Sequence, residues 1–274
     1  MKFNHQRGLL VHFSHTILLF LMSSFVFPLT ALAAPIEDNS FLIEEAYNQE
    51  EGVLQHIFLL ESFEDRAWGA RFTEEIPISG MTHQASITVP YVDLGRQDRE
   101  RGLGDVDLGY RYQLLRNEHI LVAPAVNLLL PTGDYKKGLG LGALGVRFLI
   151  PVTIPIAPQW VAHLNAGYLF HADAKNAVSQ KSDVHGTISA ASLIYRTSDV
   201  FDLMLEYYSE TGEDVVGPGQ TQETREIWFN PGFRYAANFA DFQMVTGLAY
   251  MNGVGPTAGQ TGFSFYLSFE HKAF

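Results

Sequence analysis

The stretch Gly102–Leu114 alternates between two kinds of side chain without a break from Asp105 onward. Successive residues of a β-strand face opposite sides, so this pattern predicts a strand with one apolar and one polar face. The apolar face carries Val106, Leu108, Tyr110, Tyr112 and Leu114, and the other face carries Asp105, Asp107, Gly109, Arg111 and Gln113. Such a strand must place its apolar face against a core or against lipid.

The first residues have the pattern of an export signal. Lys2 and Arg7 precede an apolar run over 9–27, and the small residues Ala31 and Ala33 follow it. A positive start, an apolar centre and a small-residue site are typical of a signal peptide, so we expect cleavage after Ala33. The alternative is a retained membrane anchor, since the apolar run is long. The fold is therefore sought after residue 33.

Composition excludes several classes of protein. The whole chain has a formal net charge of −12, and loss of Lys2 and Arg7 with residues 1–33 gives −14 (−12 − 2). A strongly acidic chain is a poor binder of nucleic acid, so no nucleic-acid partner is expected. The chain has no cysteine, which excludes a disulfide framework and a thiolate site. The sequence indicates no cofactor and no metal.

About twelve strand-like segments follow residue 51, with lengths near the ~9–11 residues that cross a bilayer as a strand. Their predicted bounds are 52–63, 66–76, 83–93, 104–115, 119–131, 139–151, 159–171, 184–196, 200–210, 225–237, 240–251 and 262–274. Open sheet edges cannot be satisfied in lipid, so strands in a membrane must close into a barrel. Beside so many similar segments after an export signal, we expect the apolar faces to meet lipid. The sequence thus predicts an all-β fold, a transmembrane antiparallel up-and-down β-barrel of about twelve strands over residues 52–274.

The predicted connections alternate in length. Short ones fall at 116–118, 197–199 and near residue 238, and long polar ones at 95–101, 133–138, 172–183, 211–224 and 252–261. Tight periplasmic turns and longer external loops are typical of bacterial outer-membrane barrels. Aromatic residues also tend to fall toward the strand ends, as in the girdles at membrane interfaces. We therefore expect the long loops outside the cell and both chain ends in the periplasm of a double-membraned bacterium.

The two ends of the mature chain carry separate predictions. Residues 34–51 form a periplasmic segment before the barrel, in which Ser40 could cap a short helix with Glu44 and Glu45 near its start. The segment is predicted as a short helix or a plug at the mouth or in the lumen, with a disordered leader as the alternative. The chain ends in Phe274, an aromatic residue that the barrel-assembly machinery is expected to read.

Three short motifs resemble a known family. They are Gly104-Asp105-Val106-Asp107-Leu108-Gly109, Pro131-Thr132-Gly133-Asp134 and Asn230-Pro231-Gly232-Phe233-Arg234. With them the chain resembles the MetA-pathway phenol-degradation family of outer-membrane, transporter-like barrels. The resemblance implies a barrel at the outer membrane that passes small organic molecules. We expect a small solute, aromatic or otherwise hydrophobic, although the predicted lumen shows no obvious aliphatic lining and the polarity of the substrate stays open. It supplies no catalytic set that this sequence matches.

If the apolar faces meet lipid, the opposite faces line the interior. Exposing an Arg or Lys to lipid at mid-membrane costs about 2–4 kcal/mol, so the strand charges are predicted to face inward. The residues predicted to line the lumen are Arg71, Glu75, Asp105, Asp107, Arg111, Arg147, His163, Asp202, Glu206, Glu226, Arg234 and Glu270. They could select solutes in an open channel or form a salt-bridge network that fills the barrel, because about twelve strands lie between filled and open barrels.

Two other classes are weighed against a channel. An outer-membrane lipid-modifying enzyme needs a nucleophile and a base in contact, but His185 and Ser189 lie four residues apart, roughly 13 Å at strand rise. No enzyme is therefore expected. A structural or surface-recognition barrel would display acidic loops such as 210–214 near lipopolysaccharide. The expected partners are outer-membrane lipid, lipopolysaccharide and a small-molecule solute.

Overall fold

The structure is a computed structural model that describes residues 36–64, 66–95 and 100–273. The predicted signal peptide 1–33 and Phe274 lie outside the described residues. The described residues form the strands β1 (Val53–Phe63), β2 (Trp68–Ser79), β3 (His83–Asp93), β4 (Arg101–Leu103), β5 (Val106–Tyr112), β6 (Leu115–Arg116), β7 (Leu121–Val122), β8 (Ala125–Leu130), β9 (Gly145–Ala157), β10 (Trp160–Lys175), β11 (Lys181–Ser198), β12 (Phe201–Gly217), β13 (Gln220–Asn238), β14 (Phe242–Gly253) and β15 (Thr261–Lys272). Two short 3₁₀ turns, Tyr135–Lys137 and Gly255–Thr257, lie in loops.

The strands close into an antiparallel barrel with twelve spans of the wall. We call each span a stave, because two of them consist of several short strands. Strands β4, β5 and β6 follow one another along one stave, and β7 and β8 form the next. Strand β15 pairs with β1, and β9 pairs with β10, which closes the ring. The predicted twelve-strand antiparallel barrel is confirmed.

The two ends of the barrel differ in their connections. One end carries the short connections 80–82, 117–120, 158–159, 199–200 and 239–241. The start of β1 and the end of β15 also lie there, where the backbone N–H of Ala273 donates to the carbonyl of Gly52 at 2.8 Å. We call it the turn end and the opposite end the loop end. The short connections at the turn end match the prediction.

Two of the predicted long loops are mostly strand. Strands β10 to β13 continue beyond their predicted ends. Of the loop between β10 and β11 only 176–180 remains as a connection, and of the loop between β12 and β13 only 218–219. The added residues include Val215, Thr221 and Thr224, types that favour extended backbone. The turn chemistry is confined to the connections themselves, where Gly219 adopts a φ of 65°.

The predicted strand 139–151 begins later, at Gly145. The residues before it form a loop in which Gly138 and Gly142 have φ angles of 71° and 58°. These left-handed conformations favour glycine and interrupt a strand. The Asp105 carboxylate fixes this loop by accepting hydrogen bonds from two of its backbone N–H groups. The left-handed glycines therefore give a loop of defined conformation here, where the sequence predicted a longer strand.

The opening alternation separates two environments in the barrel wall. On β5, the outward Leu108 is 38% exposed, whereas the inward Asp107 and Arg111 are buried. The same division holds on β12, where Leu203 and Leu205 are exposed outside. The outer surface is therefore an apolar band, and the polar residues face the interior. Among the described residues, no helix is long and apolar enough to cross a membrane.

Residues 36–49 run through the interior of the barrel, and we call them the luminal segment. The helix predicted near Ser40 is not formed, since no part of the described segment is helical. The reason is that wall side chains take its backbone amides. Accepting oxygens on the wall pair with them as follows: Glu206 with Phe41, Asn165 with Glu44, Thr153 with Ala46, Gln113 with Asn48, and Gln84 with Gln49.

Candidate functional site

Arg234 anchors the start of the luminal segment to β13. Its side chain is fully enclosed, at 2% exposure. The guanidinium donates to the carbonyl oxygens of Asp38 at 2.6 Å and Ile36 at 3.3 Å. It also pairs with the carboxylates of Asp202 at 2.8 Å and Glu45 at 2.9 Å. One arginine of the wall therefore joins a wall carboxylate to both backbone and side chain of the segment.

Arg111 anchors the other arm of the segment from β5. Its guanidinium donates to the carbonyl oxygens of Tyr47 at 2.8 Å and Glu45 at 3.3 Å, and to the side-chain oxygen of Asn48 at 2.9 Å. The same group pairs with Glu75 of β2 at 3.3 Å. Charge-assisted hydrogen bonds of this kind are about twice as strong as neutral ones. The two arginines thus hold the segment from different sides of the barrel.

Phe41 forms one of the apolar contacts between the luminal segment and the wall. Its ring lies against two glycines on neighbouring strands, Gly232 of β13 and Gly247 of β14. A Cβ added to Gly232 would lie 3.0 Å from the ring, and one added to Gly247 would lie 2.9 Å from it. Tyr266 meets the same ring edge-on, with centroids 6.2 Å apart and planes at 80°. The absence of side chains at both glycines gives the ring a flat slot.

Two carboxyl groups of the luminal segment are buried where the segment meets the wall. We call this contact region, which contains Arg111, Arg234 and the Phe41 slot, the seat. Asp38 accepts hydrogen bonds from Tyr266 and Ser268 of β15 and from Gln55 of β1. Burial raises the pKa of Asp38, although the hydrogen bonds from Ser268 and Tyr266 and the charge of Arg234 act in the opposite direction. Burial likewise raises the pKa of Glu45, against the lowering effect of Arg234. Both carboxyls therefore hold a proton more readily in the docked segment than in water.

Some polar atoms at this seat have no hydrogen-bond partner among the described residues. They include Oε2 of Glu45, Nε2 of His163 and Oγ of Ser192. His163 sits beside Glu45, with its Nε2 3.5 Å from the carboxylate. A buried polar group without a partner costs about 1–3 kcal/mol. The two wall arginines therefore anchor the segment, whereas some buried polar atoms between them lack hydrogen-bond partners.

A cavity of about 310 Å³ lies on the loop side of the segment. Its arginines are paired within the wall: Arg147 binds Asp107 at 2.6 Å, and Arg71 binds Glu61 at 3.1 Å. Its apolar lining includes Phe41 and Leu42 of the segment and, on the wall, Leu59, Leu149 and Ile188. The cavity is thus amphipathic, and its charges are largely neutralised by one another.

Most of the residues predicted to line the lumen do face the interior. The inner face holds Arg71, Glu75, Asp107, Arg111, Arg147, His163, Asp202, Glu206, Arg234 and Glu270. The structure brings together Arg111 with Glu75, Arg147 with Asp107, and Arg234 with Asp202. Glu270 meets Gln49 of the luminal segment.

Two predicted residues lie apart from these ion pairs. Asp105 lines the cavity, and its carboxylate also holds the loop before β9 by accepting hydrogen bonds from the backbone N–H groups of Gly133 and Leu141. Glu226 is exposed, because β13 extends past the barrel at the loop end. Its carboxylate accepts a hydrogen bond from the indole of Trp228, at 3.2 Å.

The sequence interpretation missed the partners that the luminal segment contributes. Asp38, Glu45 and Phe41 were not predicted to meet the wall residues, although the segment itself was a candidate plug. One signal could have pointed to them. The motif Asn230–Arg234 supplies the Phe41 slot through Gly232, the main anchor through Arg234, and a hydrogen bond from Asn230 to Glu206. This motif therefore provides much of the wall surface that binds the luminal segment.

The Ser and His residues weighed for an enzyme do not form one constellation. His185 and Ser189 lie on the outer face of β11, whereas Ser192 is buried on its inner face. His185 instead pairs with the hydroxyl of Tyr168 on β10, at 2.6 Å. The strand separates these side chains as the sequence spacing indicated.

A closed twelve-stave barrel with an apolar outer band and a polar interior is the architecture of a bacterial outer-membrane barrel. The chain belongs to the family described as "Putative MetA-pathway of phenol degradation", whose model matches residues 58–269. The matched region begins after the luminal segment. Comparison with curated proteins gives no match.

Solved structures share the fold at low sequence identity. An outer membrane channel from Pseudomonas putida F1 has a TM-score of 0.60 at 14% identity, and the match covers 86% of this chain and 99% of that one. The NanC porin has a TM-score of 0.53 at 10% identity, with 80% and 99% covered. The KdgM porin has a TM-score of 0.50 at 10% identity, with 79% and 98% covered. These likenesses establish the barrel fold.

Proposed function

We propose that this protein is a passive outer-membrane channel for small solutes, closed at its turn end by its own residues 36–49. The observation that carries the proposal is the division of the lumen into a filled turn half and a hollow loop half. A barrel that served only as a rigid body would gain by packing both halves. The three similar structures, one an outer membrane channel and two porins, support the same class.

The proposed placement in the cell follows from the two barrel ends. Short turns face the periplasm in outer-membrane barrels, so the turn end and the luminal segment are proposed to face that side. Export through residues 1–33 and assembly through Phe274 belong to the same proposal. Outer-membrane lipid would contact the apolar band, and lipopolysaccharide the loop end.

The proposed solutes are small and carry little net charge. The arginines that reach the cavity are paired with carboxylates, which leaves no unpaired arginine among the described residues there to hold an anion. An amphipathic lining of this kind suits molecules that combine an apolar body with a polar group, including the aromatic or otherwise hydrophobic solutes expected from the sequence. Ligand sites in proteins commonly have cavity volumes of about 300–1,000 Å³, and this cavity lies at the lower limit.

Conductance in planar bilayers and liposome swelling with a panel of small solutes test the proposal. The full chain is expected to conduct in rare openings. A variant whose residues 36–49 are replaced by a Gly-Ser linker is expected to conduct steadily and to admit the solutes. A matched control replaces the exposed connection 176–180 in the same way and should leave conductance unchanged. Absence of current above background in a folded linker variant would remove the channel proposal.

A structural or surface-recognition barrel is the second candidate, favoured by the hairpin of β12 and β13. It stands beyond the barrel at the loop end and carries the acidic residues Glu213, Asp214 and Glu223. Acidic groups there could share divalent ions with lipopolysaccharide phosphates. Shortening the hairpin by residues 213–223 distinguishes the two functions. Loss of lipopolysaccharide binding with intact solute uptake would favour recognition.

A further inference from the structure

The slot that holds Phe41 is built for a flat ring. Glycine in the interior of a strand weakens it and often marks a place where another group approaches closely. Here Gly232 and Gly247 lie on adjacent strands, and both meet the same ring. The ring is only 6% exposed, and the hydroxyl-bearing ring of Tyr266 closes one edge. Bare backbone on one side and an aromatic edge on the other define a site of aryl shape.

The slot adjoins the solute cavity. Phe41 and Tyr266 belong to the lining of the 310 Å³ cavity and to the slot at the same time. A molecule in the cavity is therefore in contact with the ring that fills the slot. No rearrangement of the wall is needed for it to enter once Phe41 has left.

We infer that this slot is a binding site for the planar aryl group of a solute, and that Phe41 occupies it while the channel is closed. The inference rests on the proposed function and names the solute class. A ring that binds only when Phe41 has withdrawn shifts the equilibrium of the luminal segment toward the undocked form. Solute binding and opening are then the same event, because the solute replaces the residue that closes the lumen.

A single-cysteine variant gives a direct readout. The chain has no cysteine, and Ser40, next to Phe41, is 4% exposed. Ser40→Cys in the full mature chain should react slowly with a water-soluble maleimide. Benzyl alcohol is the probe, and cyclohexylmethanol is its matched non-planar control. At ten times its dissociation constant, benzyl alcohol should raise the labelling rate about tenfold, and cyclohexylmethanol should not.

Two further variants test the slot itself. Gly247→Ala places a Cβ where the ring lies, so Ser40→Cys should label rapidly without benzyl alcohol and should not respond to it. Gly69→Ala is the control, since the nearest atom to its added Cβ is the carbonyl oxygen of Tyr91 at 4.0 Å. Phe41→Leu weakens the internal occupant without changing the wall. It should lower the concentration of benzyl alcohol that gives half the effect, and it keeps the test open if Gly247→Ala does not fold.

An equal response to both alcohols, or none to either, would overturn the aryl site. The outcome is separable from that of the proposed channel. If the linker variant conducts but labelling ignores benzyl alcohol, the channel stands and the site falls. If labelling responds but the linker variant does not conduct, the slot binds aryl groups in a barrel that is not a channel.

Discussion

The two halves of the lumen carry similar side chains but stabilise them differently. In the turn half, Arg111 and Arg234 bind the backbone of a segment that is distant in sequence, and both are enclosed. In the loop half, Arg71 and Arg147 bind carboxylates on nearby staves beside an open cavity. Similar strands thus make a closed seat at the turn end and an open cavity at the loop end, which we call the vestibule. The difference lies in the partner, a docked segment in one case and the wall itself in the other.

The largest expected effect comes from Arg234→Met. It leaves Asp202 and Glu45 buried without their cation, and breaking a buried pair costs about 3–5 kcal/mol. Equilibrium unfolding by urea in lipid vesicles should show a loss of that size. The comparison is Arg147→Met in the loop half. Its side chain is 26% exposed beside the cavity, so water can reach the Asp107 carboxylate, and loss of one charge-assisted hydrogen bond costs about 1.5–3 kcal/mol. Equal losses at both sites would contradict the distinction between the halves.

The next effect is on docking alone. Phe41→Ala removes a buried ring from its slot, and truncation of a buried Phe costs about 3–5 kcal/mol. Hydrogen exchange of residues 36–49 should accelerate, while exchange in the wall strands stays slow. Leu42→Ala is the matched control, because that side chain lines the cavity and is only partly buried. Similar acceleration in both variants would mean that the slot does not hold the segment.

A smaller effect concerns pH. The pKa of Glu45 is raised by burial, so the docked segment binds a proton more tightly than the free one. Docking is then strongest below the ordinary glutamate pKa and weakens as pH rises from there through the raised value. Hydrogen exchange of residues 36–49, corrected for its intrinsic rate, should be faster at pH 7 than at pH 5. Glu45→Gln should reduce this dependence to the part that Asp38 contributes, and a reversed slope would show that the pairing with Arg234 dominates.

The smallest effect is expected in the vestibule. The side chain of Arg71 is 42% exposed, and it pairs with Glu61 at 3.1 Å. Exposed ion pairs contribute about 0–1 kcal/mol, so Arg71→Met should hardly change the urea midpoint or the exchange of residues 36–49. A cost as large as that of Arg234→Met would mean that the loop half is braced as firmly as the turn half.

Much of the barrel could be predicted from the sequence, and less of the site. The alternation that begins at Asp105 assigned both faces of β5 correctly, because strand faces follow from a local period of two. The strand ends were predicted less well. The structure has extended hairpins in place of two predicted loops, and Glu226 lies beyond the lumen. The helix expected near Ser40 failed for another reason. Local capping favoured it, but side chains of the wall offered the same amides better-placed acceptors.

The sequence by itself determined the alternating faces, the number of staves and the inward direction of most charges. These follow from neighbours in the chain and from the free energy of placing charge in lipid. Only the tertiary structure decided which charges meet. Glu206 accepts the amide of Phe41 across 165 positions, and Arg234 reaches Asp38 across 196. Such contacts depend on the closed ring and on the path of a segment with no periodic pattern of its own, so the filled seat and the open vestibule emerge only when the barrel closes.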